Sequence, residues 1–147
     1  MHSGKLDALH DIIAESGGEP VLVVYQYRSE LAAMRKLFPQ LVELRDSRDN
    51  LERWNRGELP IMAIHPASAG HGVNLQHGGR IMVWTTPTYN LGHYQQACAR
   101  LHRMGQDKPV LMYRIIVKGS IDEKVLAVIE GKATLQDTIL EFLKHEN

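Results

Sequence analysis

Short apolar runs rich in β-branched residues, alternating with stretches of helical period, constrain this chain more than any other feature. The runs are Pro20 to Tyr25, Leu41 to Leu44, Pro60 to His65, Arg80 to Trp84 and Val110 to Val117. Helical spacing marks Leu6 to Ser16, Ser29 to Phe38, Ser47 to Arg56 and Leu91 to Met104. Strands apolar on both sides must be covered on both sides, and a helix between consecutive strands is the crossover that parallel pairing requires. The expected fold is α/β, with a mostly parallel sheet and helices on both faces. Gly17-Gly18-Glu19-Pro20 closes the first helix, Gly57 the third and Gly105 the fourth. Two further helices are expected after the last strand. The first opens at Ser120-Ile121-Asp122-Glu123, a capping box in which hydroxyl and carboxylate satisfy exposed backbone donors.

Length sets the domain count. With 147 residues and 44% hydrophobic content, the chain is expected to form one domain over residues 1–147. Lys and Arg together number 17, equal to Asp and Glu, so any contact with nucleic acid must be local rather than a matter of bulk charge. Cys98 is the single cysteine, which excludes an internal disulfide framework and fits a reducing compartment. No apolar run is long enough to span a bilayer and no export signal opens the chain. A soluble, cytoplasmic protein is expected.

Two blocks carry the candidate chemistry. The first, His65-Pro66-Ala67-Ser68-Ala69-Gly70-His71-Gly72-Val73-Asn74-Leu75, directly follows a buried-strand pattern. Small residues at the carboxyl end of a strand let backbone N–H groups approach a ligand, and phosphate suits such a cradle. The spacing is not that of a dinucleotide fingerprint, because Leu75 stands where a third glycine would be needed. A plain strand-to-helix turn explains the same residues.

The second block is Gln95-Gln96-Ala97-Cys98-Ala99-Arg100-Leu101-His102-Arg103-Met104-Gly105-Gln106. At about 100° per residue, Gln96, Arg100 and Arg103 fall within roughly 60° of one another. Leu91, Tyr94, Cys98 and Leu101 fall opposite, so one face packs and the other presents two guanidiniums. Guanidinium forks match phosphate oxygens, and two of them one turn apart can grip a transferring phosphoryl group. Spacing alone also permits a solvated charged face.

Together these residues resemble a known family. Gln96 to Gln106 resembles motif VI of the Swi/Snf branch of helicase superfamily two: a glutamine, arginines four and seven positions on, and a closing Gly-Gln. Ser68 to Leu75 is similar to motif V of that family, and Tyr89-Asn90 stands where the family usually has Trp-Asn. Val21 to Tyr27 resembles the strand of motif IV, and Lys118 to Leu140 resembles the helices that close the second lobe. The resemblance covers nearly the whole chain. His65 and Pro66 depart from it, standing where a hydroxyl residue is common. A short stretch between Leu44 and Trp54 suggests a compact bacterial or phage-like member.

The resemblance implies a three-layer RecA-like domain, the second lobe of a DNA-dependent ATPase. It implies that Arg100 and Arg103 are arginine fingers in an ATP site supported by Gln96, Gly72 and Asn74. Ser68, Gly70, Tyr89 and Asn90 would couple that site to DNA, expected to be duplex. No Gly-x-x-x-x-Gly-Lys-Ser/Thr loop is present to cradle ATP and magnesium, and Gly131-Lys132 is followed by Ala133. Asp122-Glu123 opens a helix instead of ending a strand, so it is not a magnesium-holding pair. ATP and Mg2+ would therefore bind only when a first RecA-like lobe supplies the phosphate-binding loop.

The remaining candidates are structural. Eight histidines form no spacing that suggests a metal site, so no metal is expected. Cys98 faces the core, where a thiol has little thiolate, and is a poor nucleophile for His102 to activate. Trp54 and Trp84 are expected to pack, while Tyr89 is free to stack on a base. Two function classes follow: a motor lobe that joins a partner lobe to hydrolyse ATP on DNA, or a non-catalytic RecA-like binding module contacting nucleic acid or protein.

Overall fold

A computed structural model describes residues 3–70, 74–86, 88, 90–101, 109–116 and 121–130. Its five strands are β1 (Val21–Val24), β2 (Val42–Glu43), β3 (Ile61–Ile64), β4 (Ile81–Trp84) and β5 (Leu111–Arg114). They form one sheet in the order β2-β3-β1-β4-β5, and every adjacent pair is parallel. The helices are α1 (Ser3–Glu15), α2 (Arg28–Leu37), α3 (Asn50–Asn55), α4 (Leu91–Leu101) and α5 (Ile121–Ile129). The second helix expected after the last strand falls in residues 131–147, outside the described residues.

Alternate residues of the strands feed two cores. Val21, Val23, Ile61, Ala63, Ile81 and Val83 pack against Leu9 of α1 and Met34 of α2. Leu22, Val24, Met62, Ile64, Met82 and Trp84 pack against Trp54 of α3 and Ala97 of α4. Helices therefore cover both faces in three layers, as the near-continuous apolar runs require. β1, β3 and β4 are buried throughout, but Leu111 and Tyr113 of β5 are exposed. Among the described strands β5 pairs only with β4, so its apolar run reflects an edge position rather than burial on both faces.

The helix expected over Ser47 to Arg56 is shorter, running from Asn50 to Asn55. Between Leu44 and Asn55 the chain makes a 3₁₀ turn at Leu44–Asp46 and then the short α3. Asp46 accepts the backbone N–H of Glu43 at 3.0 Å, and Ser47 Oγ accepts that of Asp49 at 3.3 Å. Such local bonds compete with helical ones and delay the helix start.

Trp54 anchors the α3 side. Fully buried, it donates from Nε1 to the carbonyl of Leu75 at 2.9 Å, which ties α3 to the end of the loop after β3. Gly78 lies against it: a Cβ there would stand 2.2 Å from the Trp54 carbonyl oxygen and 2.5 Å from Nε1. Gly78→Ala is expected to cost about 1–3 kcal/mol through this overlap. Gly57→Ala, at φ 74° in open space, should cost only about 1 kcal/mol. Urea midpoints followed by circular dichroism rank the two; a smaller loss for Gly78→Ala would contradict the packing described.

Candidate functional site

The two chemistry-bearing blocks meet on the α3–α4 face of the sheet. The loop after β3 begins with a 3₁₀ turn, Pro66–Gly70, and this turn lies alongside α4. His65 starts the turn: its Nδ1 accepts the N–H of Ala67 at 3.2 Å, and its carbonyl accepts that of Ser68 at 2.9 Å. The imidazole thus caps the turn at a position where a hydroxyl residue is common. Its ring also meets Tyr25 edge-on, with centroids 5.7 Å apart. Ser68 is half-buried within the turn and Gly70 ends it.

Gly72 lies outside the described residues, and the loop reappears at Asn74. Asn74 is exposed, and its backbone carbonyl accepts from Asn55 Nδ2 at 2.8 Å. Asn55 and Trp54 therefore clamp the far end of the loop to α3. Neither contact is readable from local sequence, because the partners lie 19 and 21 positions apart.

α4 starts with an asparagine cap. Asn90 Oδ1 accepts the N–H of His93 at 2.9 Å, and the Asn90 carbonyl accepts that of Tyr94 at 3.0 Å. Thr88 Oγ1 in turn accepts the N–H of Asn90 at 3.2 Å. Asn90 thus has a definite structural task as the cap of α4. Tyr89 lies outside the described residues.

Along α4, Ala97 is buried, Tyr94 and Cys98 pack against the same core, and Gln96 is exposed. The expected division of faces holds there. Leu91 differs, being 44% exposed: as the first residue of α4 it lies ahead of the turn that reaches the core. Arg100 belongs to the last turn of α4, on the angular side of Gln96, but its side chain is outside the description, as is the whole of Arg103.

Tyr94 holds α4 to β5. Its ring lies 4.9 Å from that of Trp84, and its hydroxyl accepts from Arg114 Nε at 2.9 Å and also from Nη2. Burial raises the Tyr94 phenol above its ordinary value, against the opposing pull of Arg114. Cys98 is likewise pushed up, chiefly by burial, and its Sγ lies 3.9 Å from Met112 Sδ. No group of three or more His, Cys, Asp or Glu residues that could hold a metal exists among the described residues. No described helix is long and apolar enough to cross a membrane.

A shallow depression of 510 Å³ lies elsewhere among the described residues, lined by Tyr25, Arg28, Leu31, Arg35, Glu43 and Arg45. Its arginines are largely committed. Arg35 forms a two-pronged pair with Asp46 at 2.9 Å, which holds the Asp46 carboxyl below its usual range. Arg45 contacts Glu43 at 3.4 Å and donates to the Tyr25 hydroxyl at 3.2 Å.

Comparison with known proteins decides the family. Protein p41 of Acyrthosiphon pisum secondary endosymbiont phage 1 is 38% identical over 99% of this chain. Chromatin-remodeling ATPase INO80 of Mycosarcoma maydis is 30% identical over 95% of it. So is the DNA repair and recombination protein RAD54-like of Drosophila erecta. The chain is a homologue of one segment of the Swi/Snf-type ATPases. It spans 33% of the length of p41, 8% of INO80 and 20% of RAD54-like. No family model matches. The C-terminal part of the Fun30 ATPase domain has the same fold, with a TM-score of 0.75 at 24% identity, covering 90% of this chain and 46% of that one. A RecA-like α/β lobe is thus the fold of this Swi/Snf homologue.

Two expected outcomes check the site as described. Asn90→Ala should cost about 1 kcal/mol by removing the cap on α4, measured by urea unfolding; no loss would contradict the capping role. Because its pKa is raised, Cys98 has less thiolate than free cysteine at pH 8. It should react with an aromatic disulfide at least about tenfold more slowly than free cysteine, and at the free rate once unfolded in urea. Equal rates in the folded protein would contradict a packed thiol.

Proposed function

We propose that this Swi/Snf homologue is the second lobe of an ATP-dependent DNA translocase or helicase. It supplies arginine fingers and DNA-coupling loops to a site completed by a first lobe. The observation that carries this reading is the meeting of α4 with the Pro66–Gly70 turn, with Gln96 directed outward from the same helix. A nucleotide held by a partner lobe would approach across that open face. The donor set fits: an exposed amide at Gln96, with Arg100 and Arg103 at helical spacing from it. ATP with Mg2+ would supply the phosphoryl group and its counter-charge. The chain's own contribution is to bind and orient oxygens on which negative charge spreads.

The loop after β3 would connect that site to DNA. Ser68 and Gly70 sit in the turn beside α4, Gly72 and Asn74 lie farther along the same loop, and Tyr89 and Asn90 lead into the helix. A shift of this loop by a DNA strand would be felt directly at α4. Duplex DNA is the expected substrate, a first RecA-like lobe the expected partner, and the inside of the cell the expected location. The reading as a non-catalytic binding module differs in one respect: the arginines would then contact phosphates of nucleic acid without ATP chemistry.

The isolated chain is expected to show no ATP turnover, because it lacks a phosphate-binding loop. Combined with a first lobe, it should support DNA-stimulated turnover, which Arg103→Ala lowers by on the order of 10³-fold with DNA binding nearly intact. Gly72→Val should reduce DNA stimulation more than basal turnover, by distorting the coupling loop. Steady-state kinetics with and without duplex DNA, at fixed salt, separate the outcomes. If the arginine variants lose DNA binding but keep normal turnover per bound complex, the binding-module reading replaces this one.

A further inference from the structure

The chain leaves β1 toward β2 on one side of the sheet and leaves β4 toward β5 on the other. In open parallel sheets, the crevice beyond the carboxyl ends of two such strands is where ligands sit. Here the chain's own side chains fill it. Lys5 reaches in from α1, Glu30 from α2, Thr86 from the exit of β4 and Asp122 from the first turn of α5. Lys5, Glu30 and Asp122 are each less than a tenth exposed, at 7%, 3% and 7%.

The contacts form one continuous chain. Asp122 Oδ2 lies 2.6 Å from Lys5 Nζ, which donates to Thr86 Oγ1 at 3.0 Å. Thr86 Oγ1 donates onward to Glu30 Oε2 at 2.6 Å. The other oxygen of Glu30 accepts the backbone N–H groups of Gln26 and Tyr27, at 2.9 and 3.0 Å, at the entry to α2. An ammonium only donates and a carboxylate only accepts, so the Thr86 hydroxyl alone in this set does both. It links a buried cation to a buried anion, and both would be left short of a partner without it.

Thr86 also stands on the lead-in to α4. Thr85 before it is pinned to the Val24 carbonyl, through its N–H at 3.1 Å and its hydroxyl at 3.3 Å. Thr88 after it holds the N–H of Asn90, the cap of α4. We propose that Thr86 is a positioning residue for α4: by joining Lys5 to Glu30, its hydroxyl fixes the path from β4 into the helix that carries Gln96 and Arg100. α1, α2 and α5 thereby set the attitude of α4 through the segment that leads into it. The functional part of this inference rests on the reading of α4 given under Proposed function.

The test compares Thr86→Val, which keeps the shape and removes the hydroxyl, with Thr86→Ser, which keeps the hydroxyl. Amide hydrogen exchange on this chain should show residues 90–97 exchanging about tenfold faster in Thr86→Val, with β1 and β3 protected as before. Thr86→Ser should restore the original rates to within about twofold. In the assembled two-lobe enzyme, Thr86→Val should lower kcat about tenfold and leave the KM for ATP within about twofold. Unchanged exchange in α4, or equal loss of protection in β1, β3 and α4, would overturn the positioning role. So would failure of Thr86→Ser to rescue. An assembly of unsubstituted lobes without turnover would count against the proposed function alone, because the exchange measurement is made on this chain by itself.

Discussion

The structure depends on β1, a strand of four residues buried on both faces and paired on both edges. Val21 and Val23 face the core under α1 and α2, while Leu22 and Val24 face the core under α3 and α4. Every other strand takes its register from this one, directly or through one neighbour. The carboxyl ends of β1, β3 and β4 therefore lie side by side. That alignment brings the Pro66–Gly70 turn, the Thr85–Thr86 exit and the entry of α2 into one neighbourhood. A polar substitution in β1 would leave an unpaired group in the dry core that the residue faces.

Much of the fold was legible because strands buried on both faces leave a strong mark: near-continuous runs such as Val21 to Val24 and Ile61 to Ile64. α4 was legible in part, with Tyr94 and Cys98 packing and Gln96 outward as helical spacing requires. Leu91 was misleading because periodicity assigns a direction but not whether a core lies in that direction. β5 misled for a related reason, since an edge strand can carry as apolar a run as a central one. The Lys5–Thr86–Glu30–Asp122 network left no local mark. Its members come from four different elements, with Lys5 and Thr86 81 positions apart and Glu30 and Thr86 56 apart. Asp122 illustrates the gap: it opens α5 as a capping pattern would suggest, yet its carboxylate reaches across to Lys5.

The candidate site was legible through a different signal. Neither arginine spacing nor a glycine-containing loop singles out a function, since solvated helix faces and tight turns are common. Order and spacing of the two blocks together resemble one family, and the comparisons place this chain among homologues of Swi/Snf-type ATPases. The fold then gives the resemblance a physical meaning, because the loop after β3 and α4 lie side by side. Under the proposed function, one element meeting DNA and the other ATP, this contact would be the short mechanical path between the two ligands. His65 stands where the resemblance leads one to expect a hydroxyl residue, and its ring nitrogen accepts the N–H of Ala67 within the turn.

The central claim is that Arg100 of α4, together with Arg103, meets a phosphoryl group held by another lobe. The most direct measurement is a structure of this chain assembled with a first lobe, duplex DNA and a transition-state analogue of ATP. The account predicts the guanidiniums of Arg100 and Arg103 within about 3 Å of the oxygens that mimic the transferring phosphoryl group. Both guanidiniums turned instead to DNA phosphates, or closed into ion pairs within this chain, would contradict it.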